Sequence, residues 1–350
     1  SCIMKKTKKA LALILAGMMA ASMTACGSGK TAETTQAAAD TTAAESADGT
    51  KAEASADGAS YKVGICQLVQ HVALDAATEG FKDALTEALG DQVTFDEQNA
   101  QGDSNTCSTI INNFVAEDVD LILANATPAL QAAQAGTDTI PILGTAVTEY
   151  GVALGIDDFN GTVGGNISGT ADLAPLNEQA AMLKELFPDA KNVGLLYCSA
   201  EANSQYQVDT VKAELEKLGY TCEYYAFSDS NDLATIVTNA ANSSDVIYIP
   251  TDNTAAANTE IINNICQPAG VPIIAGEEGI CSGCGVATLS ISYYDLGVAT
   301  GKMAAKILTG ESNISEMPIE YAPQFTKKYN KTICEALGVT VPDDYVAIEE

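Results

Sequence analysis

The chain has no arginine and no tryptophan, and its one histidine is His71. All 17 basic residues are therefore lysines. Without arginine there is no guanidinium fork to clamp a carboxylate or phosphate, so an anionic ligand group must be met by helix N-termini, hydroxyls and amides. Without tryptophan the usual stacking platform for a sugar ring is missing, which weighs against a carbohydrate site. A single histidine leaves the one C-x-x-C, Cys281 to Cys284 in CSGC, without the further ligands that zinc needs. Neither a metal nor a cofactor is expected. Positive charge is also scarce: the net charge is −29, and a mature chain without the four lysines upstream of Cys26 stands at −33. Such a surface repels phosphate backbones and anionic lipid headgroups, which excludes nucleic-acid binding.

The stretch ACGSGKT (25–31) imitates a phosphate-binding loop but lacks its first glycine, whose position is held by Thr24. From Gly27 to Ser60 the only apolar side chain is alanine, too little surface to offset the entropy of ordering the chain. Upstream, Lys5, Lys6, Lys8 and Lys9 precede an apolar run from Ala10 to Ala21, shorter than the roughly 20 residues a spanning helix needs. That is the pattern of a signal peptide. It ends in MTAC (23–26), which resembles a bacterial lipobox with Met23 where leucine is usual, and Cys26 is then the lipidated residue. Two or more acyl chains anchor stably where one does not. Residues 1–25 are thus expected to be a signal peptide, and 26–60 a lipidated N-terminus and disordered tether with a reach of about 30 to 35 Å. An ordinary secretory signal with an incidental cysteine is the alternative. On either reading the rest of the chain works outside the cytoplasmic membrane.

From Tyr61 onward, short apolar runs alternate with helical spacings. YKVGICQLV (61–69) precedes a helix carrying Phe81, Ala84, Leu85 and Leu89 at one face, and DLILANAT and IPILGTA follow with helices between them. Near-continuous apolar strands separated by amphipathic helices indicate a parallel sheet covered on both faces, hence an α/β fold. The pattern is played twice. KVGIC (62–66), DLILANATPA (120–129) and IPILG (140–144) are echoed in order by NVGLLYC (192–198), DVIYIPTDNTA (245–255) and VPIIAG (271–276), about 125 to 131 residues later. Two similar Rossmann-like lobes follow. Cys66 and Cys198 fall in strand-like runs and read as buried free thiols, while CSGC reads as a structural loop, with a local disulfide or a redox centre as alternatives.

Ligands of such sheets sit beyond the carboxyl ends of the strands. The loops that would converge there hold Gln67, Gln70 and His71; Thr127 and Pro128; Thr145; SAEANS (199–204); Thr251, Asp252 and Asn253; and Glu277 and Glu278. HVALDAATEGF, ATPAL, ISGTAD, SAEANS, IPTDNT, GEEG and YYDLGVATGKMAAKIL, in that order, resemble the ABC-transporter substrate-binding lipoproteins of the tryptophan and tyrosine uptake type, over essentially all of 61–350. CSGC after GEEG departs from that pattern. The resemblance implies a type I periplasmic-binding-protein fold, a monomer whose hinge has three crossings, and delivery of an aromatic amino acid to an ABC permease and ATPase complex. The crossings are expected at 165–171, at 288–293 and after Gly310, with lobe one formed by 61–168 plus 290–312 and lobe two by 169–289 plus 313–350.

A zwitterion asks for a carboxylate at its ammonium and for free donors at its carboxylate. Asp252 is the expected ammonium partner, with Asn253 beside it. Ser199, Ala200, Asn203 and Ser204 at a helix start, assisted by Thr127 and Thr145, are the expected carboxylate site. Asp252, Asn203 and Ser204 could instead serve as helix N-caps, and Glu277 and Glu278 as solvated rim. His71 is expected to touch ligand or close the cleft, Gln67 is a weaker candidate, and Tyr150, Tyr206 or Tyr293 could stack on a ring. Alternatives are a sugar, nucleoside or aliphatic amino acid in the same fold, a ligand sensor, and, least favoured, an enzyme, for which no nucleophile beside a base can be placed.

Overall fold

The computed structural model of the protein describes residues 58–350. The expected leader, Cys26 and nearly all of the tether lie outside the described residues. The first half runs β1 (Tyr61–Gln67), α1 (Val72–Leu89), β2 (Val93–Asn99), α2 (Ser104–Ala116), β3 (Leu121–Asn125), α3 (Thr127–Gly136), β4 (Ile142–Val147), α4 (Tyr150–Leu154) and β5 (Ile167–Ala171). The second runs α5 (Leu176–Leu186), β6 (Asn192–Cys198), α6 (Ala202–Lys217), β7 (Thr221–Phe227), α7 (Ser230–Ser243), β8 (Val246–Ile249), α8 (Asn253–Ala256), α9 (Thr259–Cys266), β9 (Ile273–Ala275), α10 (Glu278–Cys284) and β10 (Ala287–Ser290). The chain ends with α11 (Tyr293–Leu308), β11 (Glu320–Tyr321), β12 (Thr326–Tyr329), α12 (Lys331–Leu337) and β13 (Val346–Ala347).

Two sheets result, in the orders β2-β1-β3-β4-β5-β11 and β7-β6-β8-β9-β10-β12-β13. All neighbours pair in parallel except β10 with β12. The first five strands of each lobe take the same order, and the three sequence echoes are β1 with β6, β3 with β8, and β4 with β9. Strand β3 shows why parallel pairing suits these sequences. All five of its residues are buried, with Leu121 and Leu123 packing into the cluster around Phe81 on one face and Ile122 and Ala124 into the cluster around Phe114 on the other. Each fully buried side chain of this size contributes roughly 1.5–3 kcal/mol.

The sheets divide the chain at later points than the expected boundaries. Residues 169–171 pair with β4 as part of β5, and β11 then pairs with β5, so 169–171 and the stretch to Tyr321 stay with lobe one. The chain crosses between lobes at 172–175, 291–292 and 322–325. Helix α11 returns to lobe one and crosses α1 at very close range. A Cβ on Gly297 would stand 2.0 Å from the Ala77 carbonyl oxygen, and one on Gly80 would stand 2.1 Å from that of Tyr294. Glycine is what lets these backbones touch. No helix among the described residues is long and apolar enough to cross a membrane.

Candidate ligand site between the lobes

The carboxyl ends of corresponding strands face each other, and their loops enclose a small cavity. His71 reaches it from the loop after β1, Ala146 from the end of β4 and Thr148 just beyond it, Asp172 from just after β5, Thr251 to Asn253 from after β8, Glu277 from after β9 and Tyr293 from the start of α11. Its volume is about 10 Å3. That is room for about one water molecule. A ligand of amino-acid size can therefore enter only if the lobes part.

Direct contacts hold them together. The Thr148 and Thr251 hydroxyls lie 3.2 Å apart, and the Gln207 amide donates to Thr148 at 3.4 Å while its carbonyl oxygen accepts from the Thr251 backbone. His71 Nε2 lies 2.9 Å from Asn253 Oδ1. The network fixes the protons: Asn253 Nδ2 donates to Glu201, so its Oδ1 must accept, and His71 donates from Nε2. His71 Nδ1 then caps α1 by accepting from the Leu74 amide at 3.5 Å. Burial pushes the imidazole pKa down, which keeps the ring neutral.

Two buried polar atoms on the cavity wall have no partner, Asp172 Oδ1 and Asn203 Oδ1. Both are acceptors. Asp172 is 4% exposed, and its other oxygen accepts from the Tyr293 hydroxyl at 2.6 Å. Burial pushes this carboxyl pKa up, against the Tyr293 and Thr148 hydroxyls, which pull it down. An orphaned buried acceptor costs about 1–3 kcal/mol, and more when charged, so two at one cavity mark a place for a donor-rich group.

The expected site residues separate accordingly. His71, Asn203, Asp252, Asn253, Glu277 and Tyr293 are brought to this cavity. Asp252, the expected ammonium partner, has a structural task instead: Oδ2 accepts from the Cys198 amide and the Ser204 hydroxyl, and Oδ1 from the Ala255 amide as the N-cap of α8. Ser204 is thereby tied to Asp252. Gln67 is turned into lobe one, where it binds Val69, Asp75 and Thr78. Thr145 lies inside lobe one in a hydroxyl cluster with Thr170 and Thr300. Ser199 is exposed and donates to the Phe227 carbonyl, and Gln70 is exposed. Glu278 pairs with Lys328 at 2.9 Å. Thr127 is buried at the start of α3, whose N-cap Ala126 gives no side-chain cap, and neither it nor Pro128 lines this cavity. Ala200 lines a second, wider cavity of about 290 Å3 at the outer edge of the cleft, which Asn253 borders as well. Tyr150 is buried and donates to the Thr170 carbonyl, Tyr206 packs against the lobe-two core, and CSGC lies in α10 with both thiols free and buried.

Sequence reasoning passed over Asp172, Thr148, Gln207 and Glu201. Asp172 carried a usable signal: it is a carboxylate at the end of a strand that leads into a crossing. Glu201 carried only its place in the SAEANS loop. Its carboxyl accepts from the Asn253 and Thr254 amides, and burial together with the Asp252 charge pushes its pKa up to about 8. It holds the Asn253 side chain for His71.

The model of the family described as ABC transporter substrate binding protein matches residues 62–349. The chain belongs to this family. A tyrosine-binding protein of Clostridioides difficile (strain R20291) is 34% identical to this substrate-binding protein over 341 residues, covering 96% of this chain and 94% of the relative. Among solved structures, the ABC domain from Streptococcus pneumonia in complex with L-Trp is 34% identical, covers 81% of this chain and 97% of its own, and superposes with a TM-score of 0.78. A ligand-free, open substrate-binding protein with adhesive properties from Clostridium difficile is 36% identical, covers 83% and 99%, and superposes at 0.63. At like identity and coverage the substrate-binding protein is nearer in shape to the ligand complex than to the open form, in keeping with its contacts across the cleft.

Proposed function

We propose that the protein, anchored outside the cytoplasmic membrane through lipid on Cys26, captures an aromatic amino acid between its lobes and hands it to an ABC permease and ATPase complex. The carrying observation is the pair of orphaned acceptors, Asp172 Oδ1 and Asn203 Oδ1, at a cavity that no lysine lines. The ligand ammonium takes both. Its carboxylate is met by neutral donors, the Thr148 and Thr251 hydroxyls. Leu74, Ala146 and Ala256 give the cavity apolar wall, and two of them are alanines, which leave room for a ring as the lobes part. Relatives that bind tyrosine or hold L-Trp support this class of ligand.

Closure is a hinge motion about the three crossings. Moving the balance from 1% to 99% closed takes a preference of about 5.5 kcal/mol for the closed form. Contacts made to both lobes at once supply a preference of that size within a micromolar affinity of about −8 kcal/mol.

The test is thermal unfolding against the twenty amino acids, several sugars and several nucleosides. A ligand at about 100 times its dissociation constant contributes about 2.7 kcal/mol, a rise of about 5 to 10 °C for a chain of this size. Stabilisation confined to tyrosine, tryptophan and phenylalanine is expected; a rise with sugars or nucleosides alone would keep the fold and discard the ligand.

A further inference from the structure

Asp172 and Glu277 reach the same cavity, 4% and 3% exposed, with no positive side chain between them. Glu277 comes from lobe two, where its carboxyl caps α10 by accepting from the Gly279 amide at 3.0 Å and from the Ile280 amide. Lys328 on β12 is drawn to the neighbouring Glu278. From the N-cap of α1 the cavity receives His71, which is neutral and whose Nδ1 lone pair is occupied. From α11 it receives Tyr293, which donates to Asp172. On the lobe-two side stand Asp252 and Glu201, whose carboxyls interact with each other. Tyr150 adjoins Asp172 from α4, and Cys281 and Cys284 adjoin Glu277 within α10; burial holds all three in their neutral forms. Every neighbour is neutral or negative.

Two carboxylates beside a nearly dry cavity cannot both ionise at low cost unless a cation joins them. Asp172 Oδ1 shows where the cation belongs, because it is the acceptor without a partner. We propose that the Asp172–Glu277 pair makes the cleft an exchange site, in which the ligand-free closed form holds one proton on the pair and a primary ammonium displaces it. The proposal rests on the amino-acid reading of the cavity. In the exchange the O–H bond of the Glu277 carboxyl breaks and the proton leaves to the buffer. The ammonium keeps its three N–H bonds and replaces the proton as the single positive charge. Glu277 thus selects for a charged primary amine, and N-acetylated or deaminated analogues are refused.

Burial and the Asp172 charge push the Glu277 carboxyl up to about 7. Below that value binding must expel a proton, so affinity falls as pH falls; above it the pair is already ionised and affinity levels off. Between about pH 7.5 and about pH 6 the dissociation constant should rise about eight-fold.

Calorimetric titration of the protein with L-tyrosine and L-tryptophan, in buffers of different ionisation enthalpy near neutral pH, counts the protons. Most of one proton released per ligand is expected at slightly acid pH, and Glu277→Gln should bind more weakly at high pH, release none and lose the pH dependence. Binding by the unaltered protein with no proton released overturns the exchange. Should neither amino acid bind, the amino-acid reading is what fails, and a carboxyl-carbon NMR titration of the ligand-free protein decides the proton on its own. A carboxyl titrating near neutrality and missing from Glu277→Gln supports the pair; a set of carboxyl titrations near neutrality that Glu277→Gln leaves unchanged, as Glu201 alone would give, overturns it.

Discussion

Replacing Asp172 by asparagine separates binding from folding, because the two should move in opposite directions. The new side chain keeps the shape and can still accept from the Tyr293 hydroxyl, which lies 2.6 Å from Asp172 Oδ2. At the position of Oδ1 it offers either a neutral oxygen or an N–H2 group to the ligand ammonium. Breaking a buried charge pair on one side costs about 3–5 kcal/mol, which corresponds to a dissociation constant raised about 100-fold or more. Stability responds the other way. Burial raises the Asp172 pKa in the folded state, so its contribution to stability is present below the unfolded value and lost as pH rises through the folded one. Asparagine has no such loss. Ligand-free Asp172→Asn should therefore unfold at the same temperature as the unaltered protein or higher at neutral to alkaline pH, with the difference shrinking toward acid pH. Calorimetric titration with L-tyrosine and thermal melts across pH read the two effects. Affinity within about three-fold of the unaltered protein would refute the ammonium assignment. A lowered melting temperature at alkaline pH would refute the claim that the carboxylate is uncompensated.

Asp252→Ala should act on stability, since it strips partners from the Cys198 and Ala255 amides and the Ser204 hydroxyl. The expected loss is about 3 kcal/mol in urea unfolding, and an unchanged midpoint would return Asp252 to the list of pure ligand contacts. His71→Ala removes a bond across the cleft worth about 0.5–1.5 kcal/mol and should speed ligand release by about two- to twelve-fold in stopped-flow measurements; an unaltered release rate would mean that the bond does not favour closure. Gly297→Ala forces α1 and α11 apart and should cost about 1–3 kcal/mol in thermal unfolding while leaving the ranking of ligands untouched. A melt like that of the unaltered protein would show that the helices shift freely.

The repeat is legible in the sequence because it is carried by local pattern. Apolar runs such as LILAN and IPILG between helical spacings read as covered strands, and their recurrence in order points to two similar lobes, whose strand orders agree. Loop membership followed from the same rule, which is why His71, Asn203, Asp252 and Glu277 were within reach. The division of labour among them was not legible. Asp252 and Asp172 are both carboxylates at strand ends. One is consumed by the Cys198 amide, which lies 54 residues away along the chain, and the other accepts from Tyr293 through one oxygen and keeps Oδ1 without a partner. Gln67 and Thr145 look equally available in sequence, yet folding turns both inward. The first crossing and the last lobe boundary fall later for a similar reason: β5 and β11 belong to lobe one through hydrogen bonds to strands distant in sequence. The sequence by itself determined the strands, their twofold recurrence and the absence of any arginine to greet an anion. Only the tertiary structure decided which acids are satisfied and which await a cation, because a hydrogen-bond partner is set by spatial neighbours and not by position along the chain.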